Sequence, residues 1–153
     1  MTMEAVVLCG LQGSGKTTLC RERFKDHVRV SLDELRSRTR EDALVAQCLE
    51  SGRPFVVDNT NPTAADRARY VAPARAAGVK VVGYLVEIGP AEAFARNADR
   101  AGGERIPPGS VAATARRFVR PAPEEGFDEL WHATAAAAGG WRIEPLLTTP
   151  PLF

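Results

Sequence analysis

The chain has 153 residues, of which 44% are apolar and 25% are charged, and its formal net charge at pH 7 is +1. This balance is typical of a soluble globular protein, predicts a single domain over residues 1–153, and excludes a disordered chain or a strong overall electrostatic attraction to nucleic acid. No apolar run approaches the ~20 residues of a membrane helix, and no room for a signal peptide precedes the first predicted strand. The three cysteines lack metal-ligand spacing. We therefore expect a cytoplasmic protein with reduced thiols and no membrane partner.

Strand and helix signals alternate along most of the chain. Short apolar runs mark the strands, and helices are marked by two capping boxes, Ser31 with Glu34 and Thr63 with Asp66. The predicted order is strand 4–9, helix 16–24, strand 28–30, helix 31–49, strand 54–57, helix 63–77, strand 79–86, a helix from 90 to 101, a short helix from 107, and strand or packing segments over 127–131 and 141–143. Strands that alternate with helices predict an α/β fold with a parallel sheet.

The strongest signal is the segment Gly10-Leu-Gln-Gly-Ser-Gly-Lys-Thr17, which fits G-x-x-x-x-G-K-[ST] between a predicted strand and a predicted helix. Glycines let backbone N–H groups turn toward phosphates, and the helix N-terminus adds partial positive charge. Lys16 would neutralise the β- and γ-phosphates, and the Thr17 hydroxyl would bind Mg²⁺. The motif predicts ATP and Mg²⁺ as cofactors, bound by Gly10, Gly13, Ser14, Gly15, Lys16, Thr17 and Thr18. The fold is therefore expected to be a P-loop NTPase-type parallel sheet of four to five strands with helices on both faces.

Asp33 and Arg36 are three residues apart in the predicted first turn of the second helix, where their side chains would share a face. That helix begins at the carboxyl end of a strand, which is the edge of an α/β sheet where ligands bind. Asp33 would accept the proton of an attacking hydroxyl, and Arg36 would hold an acceptor phosphate or the carboxylate itself. A surface ion pair explains the same spacing equally well.

Three polar residues, Asp58, Asn59 and Asn61, follow the third predicted strand at its carboxyl end. P-loop enzymes often hold the water shell of the metal from this position, and Thr63 already supplies the cap of the next helix. A metal role is therefore favoured for Asp58 over a capping role. The two asparagines either hydrogen-bond the acceptor or only shape the turn.

Arg96 and Arg100 lie four residues apart on one predicted helix, on the side opposite its apolar stripe, and glycines and prolines follow them. This pattern predicts a mobile arginine-bearing helical lid that closes on the triphosphate, where Arg100 would stabilise charge in the transition state. Solvation is the expectation for the remaining arginines of this basic stretch: Arg105, Arg116, Arg117 and Arg120.

The chain resembles the 5′-kinase domain of polynucleotide kinases in six segments that occur in this order: GLQGSGKT, SLDELR, VVDNTNP, RNADR, IPPxxV and EEGFDEL. Residues 58–80 are especially similar to the kinase domain of animal polynucleotide kinase/phosphatase, and the resemblance extends from about residue 6 to residue 130. It implies Asp33 as general base, Arg36 as the contact to the acceptor's 3′-phosphate, and Asp58 as support for metal and acceptor. It also implies that Arg96 and Arg100 contact the donor phosphates, and that nucleotide-base contacts begin near Gly126 and Phe127.

The sequence departs from that family in two ways. It has no D-x-D-x-T phosphatase motif, so we expect a kinase only, and its charge is nearly neutral although long nucleic-acid grooves are usually basic. The leading hypothesis is an ATP-dependent kinase that phosphorylates a 5′-hydroxyl of DNA or RNA. A kinase for a small-molecule hydroxyl (sugar, nucleoside or antibiotic) and a nucleotide-binding module without turnover are the alternatives. The preference for ATP over GTP and the oligomeric state are left open.

Overall fold

A computed structural model describes residues 2–87, 108–136 and 140–146. Its six-stranded sheet consists of β1 (Glu4–Cys9), β2 (Val28–Val30), β3 (Phe55–Asp58), β4 (Lys80–Val86), β5 (Glu129–Ala135) and β6 (Trp141–Pro145). The helices within the described ranges are α1 (Lys16–Arg23), α2 (Leu32–Leu35), α3 (Arg38–Ser51), α4 (Ala64–Ala76) and α5 (Pro108–Arg117), and a 3₁₀ turn covers Pro123–Glu125. None of these helices is long and apolar enough to cross a membrane.

The strands lie in the order β2-β3-β1-β4-β5-β6, with β1 near the middle of the sheet. The first five strands pair in parallel, and Val7 of β1 lies opposite Val57 of β3 and Gly83 of β4. The last strand, β6, runs antiparallel to β5. The predicted parallel α/β sheet is therefore confirmed, and the segment at 141–143 that we could place only as strand or packing adds a sixth strand.

Helices cover both faces of the sheet, as predicted. Ala5 and Val7 pack in one apolar cluster with residues of α3 and α4, whereas Val6 and Leu8 pack in a second cluster with residues of α1. Central parallel strands are buried on both faces, which is why β1 and β3 consist of continuous apolar runs in the sequence. Their carboxyl ends meet at one edge of the sheet, and the loops that follow them carry the polar motifs.

The helix predicted over 31–49 is in fact two helices. Arg36 has φ 64°, so the backbone leaves the helical path after α2, and Ser37 then caps α3 by accepting the N–H of Arg40. Arg36 therefore lies between two helices and is exposed. The prediction of one continuous helix is wrong for this reason, and Arg36 ends α2 instead of lying within a longer helix.

The capping box predicted for Ser31 and Glu34 is also absent. Ser31 Oγ is buried and has no hydrogen-bond partner among the described residues, and Glu34 instead accepts a hydrogen bond from Arg29 Nη1 at 2.7 Å. The N–H of Leu32, the first residue of α2, donates to Asn59 Oδ1 at 2.9 Å. A side chain from the loop after β3 thus supplies the cap that the local pattern assigned to Ser31.

The second predicted capping box, at α4, is confirmed. The Thr63 side chain accepts the N–H of Asp66, and the Asp66 carboxylate accepts the N–H of Thr63. The short helix predicted from residue 107 is α5. The helix predicted from residue 90, which carries Arg96 and Arg100, lies outside the described residues.

Candidate active site

The glycine-rich loop after β1 follows a backbone path that requires glycine. Gly13 and Gly15 have φ values of 83° and 101°, which residues with a side chain rarely adopt. A Cβ added at Gly10 would overlap the carbonyl oxygen of Val86, because the loop packs directly against the end of β4. The N–H of Gly10 donates to the Thr60 carbonyl at 3.0 Å, which ties the loop to the segment after β3.

Polar groups converge where this loop enters α1. Gly15 is the N-cap of α1 and provides no side-chain cap, and Ser14 Oγ is buried without a hydrogen-bond partner in the described part of the chain. Buried hydroxyls nearly always have a partner, so an orphaned one beside a helix N-terminus fits a bound anion. Lys16 Nζ donates to the carbonyls of Gly10 (2.8 Å) and Leu11 (3.0 Å), which holds the ammonium group over the same loop. These donors fit the phosphates of a nucleotide.

Asp58 lies beside the phosphate loop, at the end of β3. Its Oδ2 accepts hydrogen bonds from Thr17 Oγ1 at 2.9 Å and from Arg29 Nε and Nη2 at 2.9 and 2.8 Å. The Asp58 side chain is only 3% exposed. Burial opposes protonation of Arg29, but its hydrogen bond and ion pair with Asp58 raise the pKa of the guanidinium above its usual value. Asp58 thus makes side-chain contacts rather than capping a helix.

The same two oxygens, of Thr17 and Asp58, fit the donor set that Mg²⁺ prefers. Magnesium is usually bound by one or two protein oxygens together with substrate phosphates and water. Within the described residues no group of three or more His, Cys, Asp or Glu side chains forms a dedicated metal site. A metal at this position would therefore depend on oxygens supplied by the bound nucleotide.

A polar cavity of about 220 Å³ lies beside α2, and it is lined by Thr60, whose carbonyl is bonded to the phosphate loop. Asp33 lines it and Arg36 does not, and the two residues form no ion pair with each other, so the surface-pair explanation of their spacing is not supported. Two arginines face the cavity instead, Arg38 from α3 and Arg117 from the end of α5. The lining residues are Leu32, Asp33, Arg38, Asn59, Thr60, Asn61, Pro62, Asp66 and Arg117.

Asn59 and Asn61 line this cavity, but their amide groups are bonded within the protein. Asn59 Nδ2 donates to Glu41 Oε2 at 2.7 Å and to the Tyr70 hydroxyl at 3.0 Å. Asn61 has φ 47°, and its Nδ2 donates to the Leu8 carbonyl at 2.8 Å. These hydrogen bonds favour a role in shaping the turn, the second of the two roles considered for them.

The remaining predicted positions are dispersed. Arg96 and Arg100, like Arg105, lie outside the described residues. Arg116 is exposed, whereas Arg120 pairs with Glu87 at 3.3 Å. The ring of Phe127 is buried in the core against Gly83, so it does not form the surface for base contacts that the resemblance implied.

Two functional candidates were missed by the sequence patterns. Arg29 reaches Asp58 from β2, and its only sequence signal is an arginine within the otherwise apolar strand Val28–Val30. Glu41 is completely buried in α3, and its signal is a single acidic residue on the inner face of that helix. Neither signal shows which partner the side chain contacts.

Comparisons with known proteins give matches over most of the chain. The profile of an AAA domain family, AAA_33, matches residues 6–122. The bifunctional polynucleotide phosphatase/kinase of Schizosaccharomyces pombe is 27% identical over 131 residues, which are 81% of this chain and 32% of that protein. The chain thus spans about a third of the length of this curated relative.

Solved structures share the fold at low sequence identity. Chaetomium thermophilum Kti12 in complex with ADP-AlF3 has a TM-score of 0.66 and 19% identity, over 85% of this chain and 88% of that one. A putative kinase of Chloroflexus aurantiacus has a TM-score of 0.66 and 18% identity, over 86% and 88%. A gluconokinase of Sinorhizobium meliloti has a TM-score of 0.57 and 15% identity, over 86% and 82%. These likenesses show the fold of P-loop kinases.

Proposed function

We propose that this chain, which belongs to the AAA domain family AAA_33 and has the fold of a P-loop kinase, transfers the γ-phosphate of ATP to a hydroxyl group, with a 5′-hydroxyl of DNA or RNA as the leading acceptor. The observation that carries this proposal is the position of Thr60. Its carbonyl accepts the N–H of Gly10 in the phosphate loop, and the same residue lines the cavity that contains Asp33. A phosphate donor and a hydroxyl acceptor would therefore meet at one edge of the sheet.

The donor side follows from the phosphate loop. Loop N–H groups, the Ser14 hydroxyl and the Lys16 ammonium would bind the phosphates, and Thr17 and Asp58 would hold Mg²⁺. When bound, the metal would neutralise negative charge on the phosphate oxygens. Arg96 and Arg100 remain proposed lid residues, and replacing Arg100 by alanine should lower kcat by roughly 10²-fold in steady-state assays. An unchanged kcat would exclude this role.

The acceptor side depends on Asp33. A carboxylate oxygen of Asp33 would take the proton of the attacking hydroxyl, whose oxygen forms the new bond to phosphorus as ADP leaves. Positive side chains at the cavity would hold an anionic group of the acceptor. Arg36 is proposed for this contact from the family resemblance, while Arg38 and Arg117 face the cavity in the structure.

Support for a nucleic-acid acceptor comes from sequence. The relative of known name that matches most of this chain is a polynucleotide phosphatase/kinase, and its match covers the segments with Asp33 and Asp58. The proposed unit is a single kinase domain over residues 1–153. Within the described residues, the sheet and its helices form continuous apolar clusters that are consistent with one domain.

A small-molecule acceptor is the second candidate. It is favoured by the lining of the polar cavity beside α2, which we call the acceptor cavity. Among the described residues that line the cavity none is aromatic, although single-stranded nucleic acid is usually held by stacking its bases on aromatic side chains. The lining is instead rich in carboxylates, amides and guanidinium groups, which suit the hydroxyls of a sugar-like compound. The two candidates differ only in the acceptor.

The deciding experiment is transfer of γ-³²P-phosphate from ATP with Mg²⁺ to 5′-hydroxyl DNA and RNA oligonucleotides, beside a panel of sugars and nucleosides. Asp33→Ala is the control, which should abolish turnover while ATP affinity stays within a few-fold. Labelled oligonucleotide ends that disappear with Asp33→Ala support the polynucleotide acceptor and show the nucleic-acid preference. Transfer only to small molecules supports the second candidate. A variant that keeps a tenth of the wild-type rate would exclude Asp33 as the base.

A further inference from the structure

Glu41 is the centre of a buried polar cluster to which the proposed reaction assigns no role. Its side chain is 0% exposed, and both carboxylate oxygens accept hydrogen bonds. Oε1 accepts hydrogen bonds from Arg38 Nη1 at 2.8 Å and from the Tyr70 hydroxyl at 2.7 Å, and Oε2 accepts one from Asn59 Nδ2 at 2.7 Å. Burying such a group is costly, and an apolar side chain of similar volume often stabilises a core at least as well. Stability alone therefore explains this carboxylate poorly.

One arm of the cluster runs through Asn59 to the helix that bears Asp33. Both N–H groups of the Asn59 amide are occupied, by Glu41 and by the Tyr70 hydroxyl, so its Oδ1 must face the N–H of Leu32. A rotated amide would place its oxygen against the Glu41 carboxylate. Glu41 thus dictates the orientation of Asn59, and Asn59 anchors the first residue of α2.

This anchor matters because it fixes the first residue of α2, whereas the other side-chain contacts of this helix, the Glu34–Arg29 pair and the packing of Leu35 against the core, involve its later residues. The helix comprises only four residues, Leu32–Leu35, and its N-cap residue makes no side-chain hydrogen bond. Asp33 follows directly after the anchored Leu32. A small shift of α2 would therefore move the proposed base relative to the acceptor.

The second arm of the cluster holds a cation at the same cavity. Arg38 Nη1 donates to Glu41 Oε1 and to the Tyr70 hydroxyl at 3.0 Å, while 44% of the Arg38 side chain remains exposed and faces the acceptor cavity. Burial opposes protonation of Arg38, but these hydrogen bonds raise its pKa above the usual value. The Glu41 carboxylate therefore contacts both Asn59, which anchors the helix that bears Asp33, and Arg38 itself.

We propose that Glu41 is a positioning residue. Through its hydrogen bonds with Asn59 and Arg38, it determines the positions of the Asp33 carboxylate and the Arg38 guanidinium in the acceptor cavity. This inference rests on the proposed phosphoryl transfer, in which Asp33 is the base. It predicts that the geometry of the acceptor side, but not nucleotide binding, depends on the pairing of a carboxylate with an amide at positions 41 and 59.

The test is an exchange of these two groups. Glu41→Gln leaves one oxygen for the donors of Arg38, Tyr70 and Asn59, so its NH2 group faces the Asn59 amide when Arg38 and Tyr70 hold that oxygen. Asn59→Asp places a carboxylate against Glu41, and the repulsion in each single variant should displace residue 59 from the N–H of Leu32. The double variant Glu41→Gln/Asn59→Asp restores one amide and one carboxylate with the same total charge. We expect kcat to fall about 10- to 100-fold in each single variant, with KM for ATP within about twofold, and to recover at least tenfold in the double variant.

A matched exchange elsewhere separates positioning from stability. Glu4→Gln removes a partly buried carboxylate that contacts His27 at 2.8 Å, at the start of β1 and far from the carboxyl ends of the strands. It should lower the urea midpoint without changing kcat. Single variants at positions 41 and 59 that keep kcat within twofold of the wild type, or a double variant no faster than the singles, would overturn the proposal.

A second readout does not require turnover. Amide hydrogen exchange of Leu32, whose N–H donates to Asn59, should become faster in Glu41→Gln and return toward the wild-type rate in the double variant. If the wild type phosphorylates no acceptor, the proposed function fails and exchange alone decides the positioning role. Unchanged exchange of the Leu32 amide in Glu41→Gln would overturn that role, whatever the acceptor is.

Discussion

Arg29 and Asp58 form the most strongly bonded charged contact beside the phosphate loop, and their pairing limits what each can do alone. A single oxygen of Asp58 accepts two hydrogen bonds from Arg29 and one from Thr17. Because this carboxylate is nearly buried, it needs a cation close by. In this structure the cation is the Arg29 guanidinium, and Mg²⁺ is the natural alternative for two adjacent oxygens.

Arg29→Met should therefore destabilise the protein and make its stability depend more strongly on magnesium. Removing one partner of a buried pair costs about 3–5 kcal/mol, and the cost here should lie near the lower end because Arg29 is a third exposed. We expect the urea midpoint of Arg29→Met to rise more with added Mg²⁺ than that of the wild type, because the ion replaces the lost charge.

The double variant Arg29→Met/Asp58→Asn is the control for this prediction. It removes the carboxylate together with its partner, so the added sensitivity to Mg²⁺ should disappear. Equal Mg²⁺ dependence of the wild type and Arg29→Met would show that Asp58 does not attract the metal.

At the scale of elements, the sequence predicted what local chemistry determines. The strand β1, the phosphate loop and the start of α1 follow from one apolar run and one glycine pattern, and the cap of α4 follows from Thr63 and Asp66. All of these depend on residues within a few positions of each other. Sequence patterns alone therefore place the candidate residues of these elements at the correct edge of the sheet.

The start of α2 could not be predicted in this way. The cap of α2 comes from Asn59, 27 residues further along the chain, and the orientation of that amide depends on Glu41. The pattern S-x-x-E at Ser31 suggested a local cap that does not form. Contacts between distant segments thus decide how α2 begins, and the predicted cap at Ser31 was wrong for that reason.

Arg36→Gly separates two properties of this position, its left-handed backbone conformation and the proposed contact of the Arg36 side chain with the acceptor. Arg36 has φ 64°, a left-handed conformation that costs a residue with a Cβ roughly 1 kcal/mol and costs glycine little. The substitution should therefore raise the free energy of unfolding, by at most about 1 kcal/mol, since greater freedom of the unfolded chain offsets part of the gain. If Arg36 holds the acceptor, KM for the acceptor should also rise at least tenfold while KM for ATP stays constant.

Urea unfolding and steady-state kinetics on the same preparation measure both effects. Arg38→Gln serves for comparison, because Arg38 faces the acceptor cavity and Arg36 does not. A higher acceptor KM in Arg38→Gln alone would move the acceptor contact from Arg36 to Arg38.

For the whole molecule, the order of the strands explains why one small chain can hold both halves of the proposed transfer site. With β1 between β3 and β4, the phosphate loop lies beside the loop that carries Asp58 and Asn59. With β2 beside β3, α2 and Asp33 follow next along the same edge. The proposed donor and acceptor groups are neighbours because parallel strands present all their carboxyl ends together. The near-neutral charge has no part in this arrangement, which is why composition alone gave little information about the acceptor.

The buried thiols of the core predict how stability changes in alkaline solution. Cys9 lies in β1, Cys20 in α1 and Cys48 in α3, and all three are buried and free. Burial raises the pKa of each thiol, and that of Cys9 to about 12. Since an unfolded thiol ionises near pH 8.5, the unfolded chain releases these protons first. The contribution of each thiol is therefore fully present below about pH 8.5 and is lost as the pH rises toward the folded-state pKa.

Cys9→Ala tests this linkage. The variant lacks the thiol that ionises on unfolding, so its free energy of unfolding should fall less steeply with pH than that of the wild type. Between pH 8 and 10 the difference should approach about 2 kcal/mol, at 1.36 kcal/mol for each unit by which the pH exceeds the unfolded pKa. Urea denaturation of both proteins at half-unit intervals of pH measures it. Parallel curves would show that Cys9 is ionised as readily in the folded chain as in the unfolded one, and that β1 is less completely shielded from water than its packing indicates.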